Sequence, residues 1–380
     1  MNPNPNSKFF SYVIPDVNSE SITGSLTRGM CQGCLLALML VLLLLSRVAP
    51  VQAQEALPVL QAVPVNNILS ANDTARYLAG LKPLENGRAA ELAATAAWQE
   101  HAQALGADWD RFGSRSWRRI RSWSGSEISG FGNARSPVFY PFSGPDFIYV
   151  YNYFPQASAY LLCGLEPAGD IPDLARMDSG SLSALRNSMH TLLTAGYFVT
   201  KSMRMELRGT LPLMFVMLAR SGCTITHVER FKSGAEVRFL PEGGGGERRL
   251  IYVSADLSNG GFNKGELAAR LSQLNPKNAY IKSASYLMHQ DGFSAVRTFL
   301  LNHCNLIVQD DSGIPARFFS PQKWTLRLYG AYTPPLNLFK QYMQPDLADL
   351  YLHTPTKSLD FGAGYKWNPR EATLIVASTK

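Results

Sequence analysis

The longest run of apolar residues lies near the N-terminus, where eleven apolar residues occupy positions 35–45 between Arg28 and Arg47. An apolar run of about 7–15 residues is typical of a signal peptide, whereas a membrane-spanning helix needs about 20. Val51-Gln-Ala53 fits a small-residue cleavage site, so residues 1–53 are predicted to be a signal peptide. An uncleaved membrane anchor is the alternative, because 18 uncharged residues separate the two arginines.

Residues 54–130 are predicted to form a helical N-terminal segment. Capping side chains before residues 74–81 and an Ala-rich composition at 88–105 both favour helix. In residues 109–123, three tryptophans and two other apolar side chains fall within an arc of roughly 140°, and five arginines occupy the opposite face. The pattern therefore indicates an amphipathic helix with one basic and one aromatic face.

From residue 134 the pattern changes to β-rich runs, some of them separated by helical runs. Strands are predicted at 138–142, 147–154, 160–165, 236–240, 249–255, 279–286, 305–309, 324–332, 359–367 and 373–377. Helices are predicted at 181–194, 210–220, 264–274, 292–303 and 336–351. The alternation favours an α/β fold, and the helix-free flanks favour a mixed sheet, with α+β as the alternative. Residues 131–380 are predicted to be this main domain.

Composition narrows the possible classes of protein. Hydrophobic residues make up 46% of the chain, aromatic residues 11% and charged residues 17%, which excludes a disordered chain, a coiled coil and a collagen-like repeat. The net charge is +7 in total and +6 without residues 1–53, so an exported chain is not expected to bind nucleic acid. Without residues 1–53, three cysteines remain, which are Cys163, Cys223 and Cys304. They are expected to be either buried thiols or one disulfide and one free thiol.

Familiar catalytic motifs are missing from the sequence. There is no G-x-S-x-G elbow, no P-loop, no H-E-x-x-H and no C-x-x-C beyond residue 53. The histidines are scattered without the spacing of metal ligands. We therefore expect no cofactor and no metal, and candidate residues have to come from loops at strand ends.

The turn at 139–147 is the first candidate site. Two prolines and a glycine fix a turn between two aromatic runs, and Tyr140, Ser143 and Asp146 lie on it. Loops on a rigid sheet often carry binding groups. The alternative is that the two short polar side chains only satisfy backbone donors of the turn.

Two further candidates lie at the ends of predicted strands. Lys282 lies in the end of the predicted strand 279–286, and His289 follows this strand before a predicted helix. Asp310 and Asp311 follow an apolar strand. Strand carboxyl ends are the usual ligand-binding edge of α/β sheets. Two adjacent carboxylates could hold a cation or act as acid and base. The structural alternatives are a surface histidine and carboxylates that cap a turn or a helix.

The basic helix is a candidate for contact with a membrane or another polyanion. The residues proposed for this contact are Arg115, Trp117, Arg118 and Arg119. Basic amphipathic helices can lie on anionic membrane surfaces. The alternative, which is the usual case for such a helix, is that its tryptophans pack against the main domain while its arginines face solvent.

Three runs resemble a group of uncharacterised exported bacterial proteins. They are Tyr140-Pro-Phe-Ser-Gly-Pro-Asp146, Cys163-Gly-Leu-Glu-Pro167 and Gln309-Asp-Asp-Ser-Gly-Ile-Pro315, and the similarity covers most of 135–367. The group has no assigned activity. The resemblance implies a bacterial, exported protein with a single main domain, and it implies no catalytic residues.

The sequence therefore predicts an exported bacterial envelope protein, periplasmic or extracellular, with a membrane-anchored form as the alternative. The first functional hypothesis is a non-catalytic role in binding a small molecule or an envelope component. The second is a hydrolase with Asp146 as nucleophile or base and His289 as acid or base. In that hypothesis Asp310 or Asp311 is an acid or a metal ligand, and Lys282 stabilises an anion.

Overall fold

The structure is a computed structural model that describes residues 66–85, 87–174, 177–196 and 207–380. The predicted signal peptide and its cleavage site lie outside these residues. All described residues belong to one compact unit, Gln61–Lys380. Within the described ranges, no helix is both long enough and apolar enough to span a membrane.

Ten α-helices are found in the described residues. They are α1 Asn66–Leu78, α2 Arg88–Ala93, α3 Ala96–Asp108, α4 Ser114–Glu127, α5 Phe147–Tyr153, α6 Ser179–Ala195, α7 Leu211–Arg220, α8 Gly265–Leu274, α9 Ser294–His303 and α10 Pro345–His353. A π-helical turn, Trp109–Gly113, joins α3 to α4. Short 3-10 helices lie at Leu287–His289, Asp291–Phe293, Ala316–Phe318 and Asn337–Tyr342.

Ten strands form one mixed sheet, which confirms the predicted α/β architecture. The strands are β1 Val138–Tyr140, β2 Ala159–Gly164, β3 Thr224–Phe231, β4 Gly234–Leu240, β5 Arg248–Ser254, β6 Asn278–Ile281, β7 Leu306–Gln309, β8 Trp324–Gly330, β9 Thr356–Lys357 and β10 Thr373–Thr379. Their order is β3-β4-β5-β2-β1-β6-β7-β10-β8-β9. The central five strands, β5 to β7, pair in parallel, and the hairpin β3-β4 and strand β10 add antiparallel pairs.

The two faces of the sheet bury separate hydrophobic cores because side chains alternate along each strand. Tyr140 and Tyr280 point to the core that contains α5 and α7, whereas Phe139 and Ile281 point to the core that contains α8 and α9. Helices α1, α3 and α4 also pack into the first core. The helical N-terminal segment therefore shares a hydrophobic core with the sheet.

The chain changes direction at the centre of the sheet. Strand β1 pairs in parallel with β2 on one side and with β6 on the other. Helix α5 leads from β1 to β2 over one face, and α9 leads from β6 to β7 over the opposite face. The boundary between β1 and β6 is therefore a topological switch point, where open α/β sheets bind ligands outside the strand carboxyl ends.

Four element predictions were wrong. The predicted strand 279–286 ends at Ile281, and residues 282–286 form a loop. Residues 147–154 were predicted as a strand and form helix α5, because a short run that is buried on every side has no periodicity and because parallel β1 and β2 need a crossover. The predicted helix 336–351 is interrupted before Pro345. The predicted strand 359–367 is a loop with a single bridge between Ala363 and Lys366.

Candidate functional site

The switch point brings together two oppositely charged side chains from distant parts of the chain. Asp146 precedes α5 at the end of the turn that follows β1, and Lys282 directly follows β6. The Lys282 Nζ atom lies 2.5 Å from Asp146 Oδ2, and the Tyr140 hydroxyl donates a hydrogen bond of 3.1 Å to the same oxygen. Asp146 and Lys282 are 3% and 4% exposed, respectively, so this is a buried ion pair.

The surroundings of Lys282 offset part of the cost of burying its charge. Its ammonium group lies 3.6 Å from the centre of the Tyr149 ring, which is the geometry of a cation–π contact. The carboxylate of Asp146 supplies the opposite charge. The removal of either partner would leave an unpaired charge in the protein interior.

Asp310 lies beside this pair, in the loop after β7. Its Oδ2 accepts a hydrogen bond from the backbone N–H of Ser283, at 2.8 Å. Its Oδ1 accepts two bonds from Ser312, at 2.9 Å from the backbone and 2.5 Å from the hydroxyl. Burial and the neighbouring carboxylate of Asp311 raise the pKa of Asp310 to about 6. We call Tyr140, Asp146, Lys282 and Asp310 the switch-point cluster.

The charges of Asp146 and Asp310 both act on the Tyr140 hydroxyl. Burial, and then the charges of Asp146 and Asp310, hold the pKa of Tyr140 well above its usual value. Tyr140 therefore stays protonated and can donate its hydrogen bond throughout the physiological pH range. The cluster contains two carboxylates whose surroundings differ, because one is ion-paired and the other accepts hydrogen bonds from backbone N–H groups and a hydroxyl.

Two buried polar atoms at the cluster have no hydrogen-bond partner among the described residues. They are Asp146 Oδ1 and the Ser283 hydroxyl oxygen. Buried polar atoms are nearly always paired in proteins, so unpaired ones need an explanation. A carboxylate oxygen that is not held by the protein is available to accept a proton or a hydrogen bond.

The backbone after β6 is strained. Ser283, Ser285 and Tyr286 adopt φ angles of 52°, 51° and 56°, in the left-handed region that favours glycine. Such conformations cost of order 1–3 kcal/mol each and occur preferentially at functional sites. The Tyr365 hydroxyl holds this segment, since it donates to the Ser283 carbonyl at 2.8 Å and accepts from the Ser285 N–H at 3.1 Å.

Residues 360–367, which we call the covering loop, pack over Asp310 and Asp311. Lys366 Nζ lies 3.6 Å from Asp311 Oδ2, and the Tyr286 hydroxyl donates to the same oxygen at 2.7 Å. Gly364 packs so closely on Asp310 that an added Cβ would overlap the carboxylate. The covering loop therefore closes the cluster from the side of β7.

The structure places two other predicted residues outside the cluster. Ser143 joins the ends of β1 and β2, since its hydroxyl oxygen accepts a hydrogen bond of 3.0 Å from the Cys163 N–H. His289 is half-buried between the rings of Tyr286 and Tyr342, and burial lowers its pKa to about 4. Within the described ranges, no hydrogen bond links His289 to the switch-point cluster.

The basic helix packs its aromatic face against the main domain. The Trp117 side chain is buried, with its ring 4.9 Å from that of Tyr149 in an edge-on contact. Arg118 and Arg119 are exposed, and Arg119 donates a hydrogen bond of 2.6 Å to the Asp360 carbonyl. The side chain of Arg115 lies outside the described part of the chain.

The contribution of the covering loop to the site was not predictable from the hydrophobic pattern. Tyr365 and Lys366 lie in a segment that was predicted as a strand, and nothing in their spacing connects them with the distant aspartates. The one available signal is Gly362-Ala-Gly364, because small residues in a predicted strand often mark a close backbone approach.

Other chemistry is not evident in the described residues. Their three cysteines are free and buried. Among the same residues, no group of three or more His, Cys, Asp or Glu side chains is arranged to hold a metal ion.

No protein-family model matches this chain, and no curated protein sequence matches it. A functional assignment therefore has to rest on the geometry of the switch-point cluster.

Proposed function

We propose that the chain is an exported hydrolase whose acid–base site is the switch-point cluster. The observation that carries this proposal is the buried ion pair between Asp146 and Lys282 at the switch point. The carboxylate of Asp310 lies next to it and accepts a hydrogen bond from the backbone N–H of Ser283. Perturbed, buried ionisable groups at a strand carboxyl edge are typical of active sites.

The cluster supplies the parts that a hydrolytic reaction needs. Asp146 Oδ2 is held by Lys282 and Tyr140, which leaves Oδ1 to accept a proton from an attacking water. Asp310, with its pKa raised to about 6, holds a proton in a large fraction of molecules near pH 6 and can give it to a leaving group. Lys282 stabilises negative charge that develops at the reacting centre.

Substrate access requires movement of a loop because the cluster is buried. The strained segment 283–286 and the covering loop meet above the cluster through the hydrogen bonds of Tyr365. Rupture of these bonds would release backbone strain at Ser283 and Ser285. We infer that these two segments separate when substrate enters.

The test is hydrolysis of chromogenic aryl esters, aryl phosphates and aryl glycosides by the purified protein. We expect turnover of one substrate class, and we expect Asp146→Asn and Asp310→Asn each to lower kcat about 100-fold with an unchanged fold by circular dichroism. Asp349→Asn, an exposed carboxylate on α10, is the matched control. Turnover that survives both cluster substitutions would exclude the proposed site.

A non-catalytic binding role is the second candidate. It is favoured by the closed state of the cluster, in which most charged groups already have partners. In that case the ligand is a small molecule or an envelope component that bonds to Asp146 Oδ1. The absence of turnover for all three substrate classes, together with thermal stabilisation by a ligand that Asp146→Ala abolishes, would favour this role.

We also propose that residues 1–53 direct export to the periplasm or the extracellular space. The support is the apolar run at 35–45 and the small residues before Gln54. The protein recovered outside the cytoplasm should begin at Gln54 by mass spectrometry, and deletion of residues 35–45 should leave it in the cytoplasm. A full-length chain in the membrane fraction would instead support the anchor. Release from membranes by salt would indicate a peripheral contact of the basic helix.

A further inference from the structure

A cavity of 340 Å³ opens beside the carboxyl end of β5, away from the switch-point cluster. Its lining comes from the loop at 167–170 after β2, the turn at 230–234 between β3 and β4, Arg208 before α7 and Ser254 at the end of β5. Its volume is at the lower end of the range for small-molecule sites. These segments are far apart in the sequence, so the cavity exists only in the folded chain.

The charge of the cavity is strongly biased toward positive. Its lining includes Arg208, Arg230 and Lys232, and Asp170 is its one acidic residue. Arg230 forms an ion pair with Asp170. In the part of the chain that the structure describes, Arg208 and Lys232 have no ion-pair partner. Arg208 and Lys232 are both exposed. Two cations without an ion-pair partner among the described residues therefore line one small surface cavity, although like charges repel each other.

The backbone holds Arg208 at the cavity in an unfavourable conformation. Its φ angle is 54°, a value at which glycine or asparagine is the usual residue. The next residue, Gly209, packs directly on Gly169 of the opposite loop, where a Cβ at either position would overlap the other chain segment. This glycine contact fixes the loops on both sides of the cavity. The strained position 208 carries a long cationic side chain, although the turn does not require one.

We propose that this cavity binds the oxyanion group of a small ligand, such as a phosphate, sulfate or carboxylate. Arg208 and Lys232 would donate charge-assisted hydrogen bonds to the oxyanion, and Arg230 would add a third cation from its pair with Asp170. The site does not depend on the proposed hydrolase function, because none of its lining residues belongs to the switch-point cluster.

The test is isothermal titration of the full chain with inorganic phosphate, sulfate or acetate at low ionic strength. We expect saturable binding of one stoichiometric equivalent of at least one of these anions. Lys232→Gln and Arg208→Asn should each weaken the binding about tenfold, since each removes a charge-assisted hydrogen bond. Asparagine tolerates the left-handed backbone at position 208, so the second variant tests charge and not strain.

Controls separate a specific site from general charge attraction. Arg370→Gln removes an exposed arginine that does not line the cavity, and it should leave the affinity unchanged. Equal weakening by Arg370→Gln, or full binding by the double variant of Arg208 and Lys232, would overturn the proposal. So would the lack of saturable binding of all three anions. Binding to phosphatidylglycerol vesicles without binding to free anions would point to a lipid surface and would also overturn it.

Discussion

Replacement of Lys282 by methionine is expected to lower the free energy of unfolding by about 3–5 kcal/mol. The substitution keeps the apolar volume but removes the ammonium group that faces Asp146 Oδ2 at 2.5 Å. Asp146 is 3% exposed, and its other oxygen has no partner among the described residues. The remaining carboxylate would be a buried, uncompensated charge. Equilibrium urea unfolding at pH 7 measures the change.

A double substitution tests whether the pair itself is the cause. Asp146→Leu with Lys282→Met removes both charges, and the resulting protein should be more stable than the Lys282→Met variant, because an apolar pair replaces a buried ion pair at little cost. Arg88→Met, in the exposed pair with Glu91, is the matched control and should change stability by no more than about 0.5 kcal/mol. A Lys282→Met variant as stable as the wild type would show that Asp146 is not held as an anion.

Part of this site was predictable because its residues follow apolar strands. Asp146, Lys282 and Asp310 were all placed at strand ends from the hydrophobic pattern, and parallel strands bring such ends to one edge of a sheet. Their convergence was not predictable. Lys282 and Asp146 are 136 residues apart in the sequence, and they meet because β6 pairs with β1, a neighbour relation that no local pattern encodes.

The larger errors in the predicted secondary structure lie in one segment that is buried on all sides and in one that packs as a loop. Residues 147–153 have no polar face, so their pattern could not distinguish the helix that they form from a strand. The covering loop has three aromatic residues, a type that is common in strands. However, Gly362 lies against backbone of the same loop and Gly364 lies against Asp310, and neither approach leaves room for a Cβ. In both cases the tertiary environment decides the local structure.

The stability of the protein should fall as the pH rises from 4 to 7 through the contribution of Asp310. Burial, followed by the charge of Asp311, raises its pKa from 3.8 to about 6. A raised carboxyl pKa means that the folded state binds the proton more tightly than the unfolded state does. The destabilising contribution is therefore absent below about pH 4 and complete above about pH 6, where it reaches about 3 kcal/mol.

The measurement is the difference in unfolding free energy between the wild type and Asp310→Asn at pH 4, 5, 6 and 7. Because other ionisable groups contribute to both proteins, the difference isolates Asp310 together with its electrostatic effect on Asp311. Between pH 4 and pH 7 it should shift by about 2.4 kcal/mol in favour of the variant. The same difference for the exposed control Asp349→Asn should stay within about 0.5 kcal/mol. A shift that favours the wild type at higher pH would mean that the hydrogen bonds from Ser283 and Ser312 stabilise the Asp310 anion more than burial penalises it.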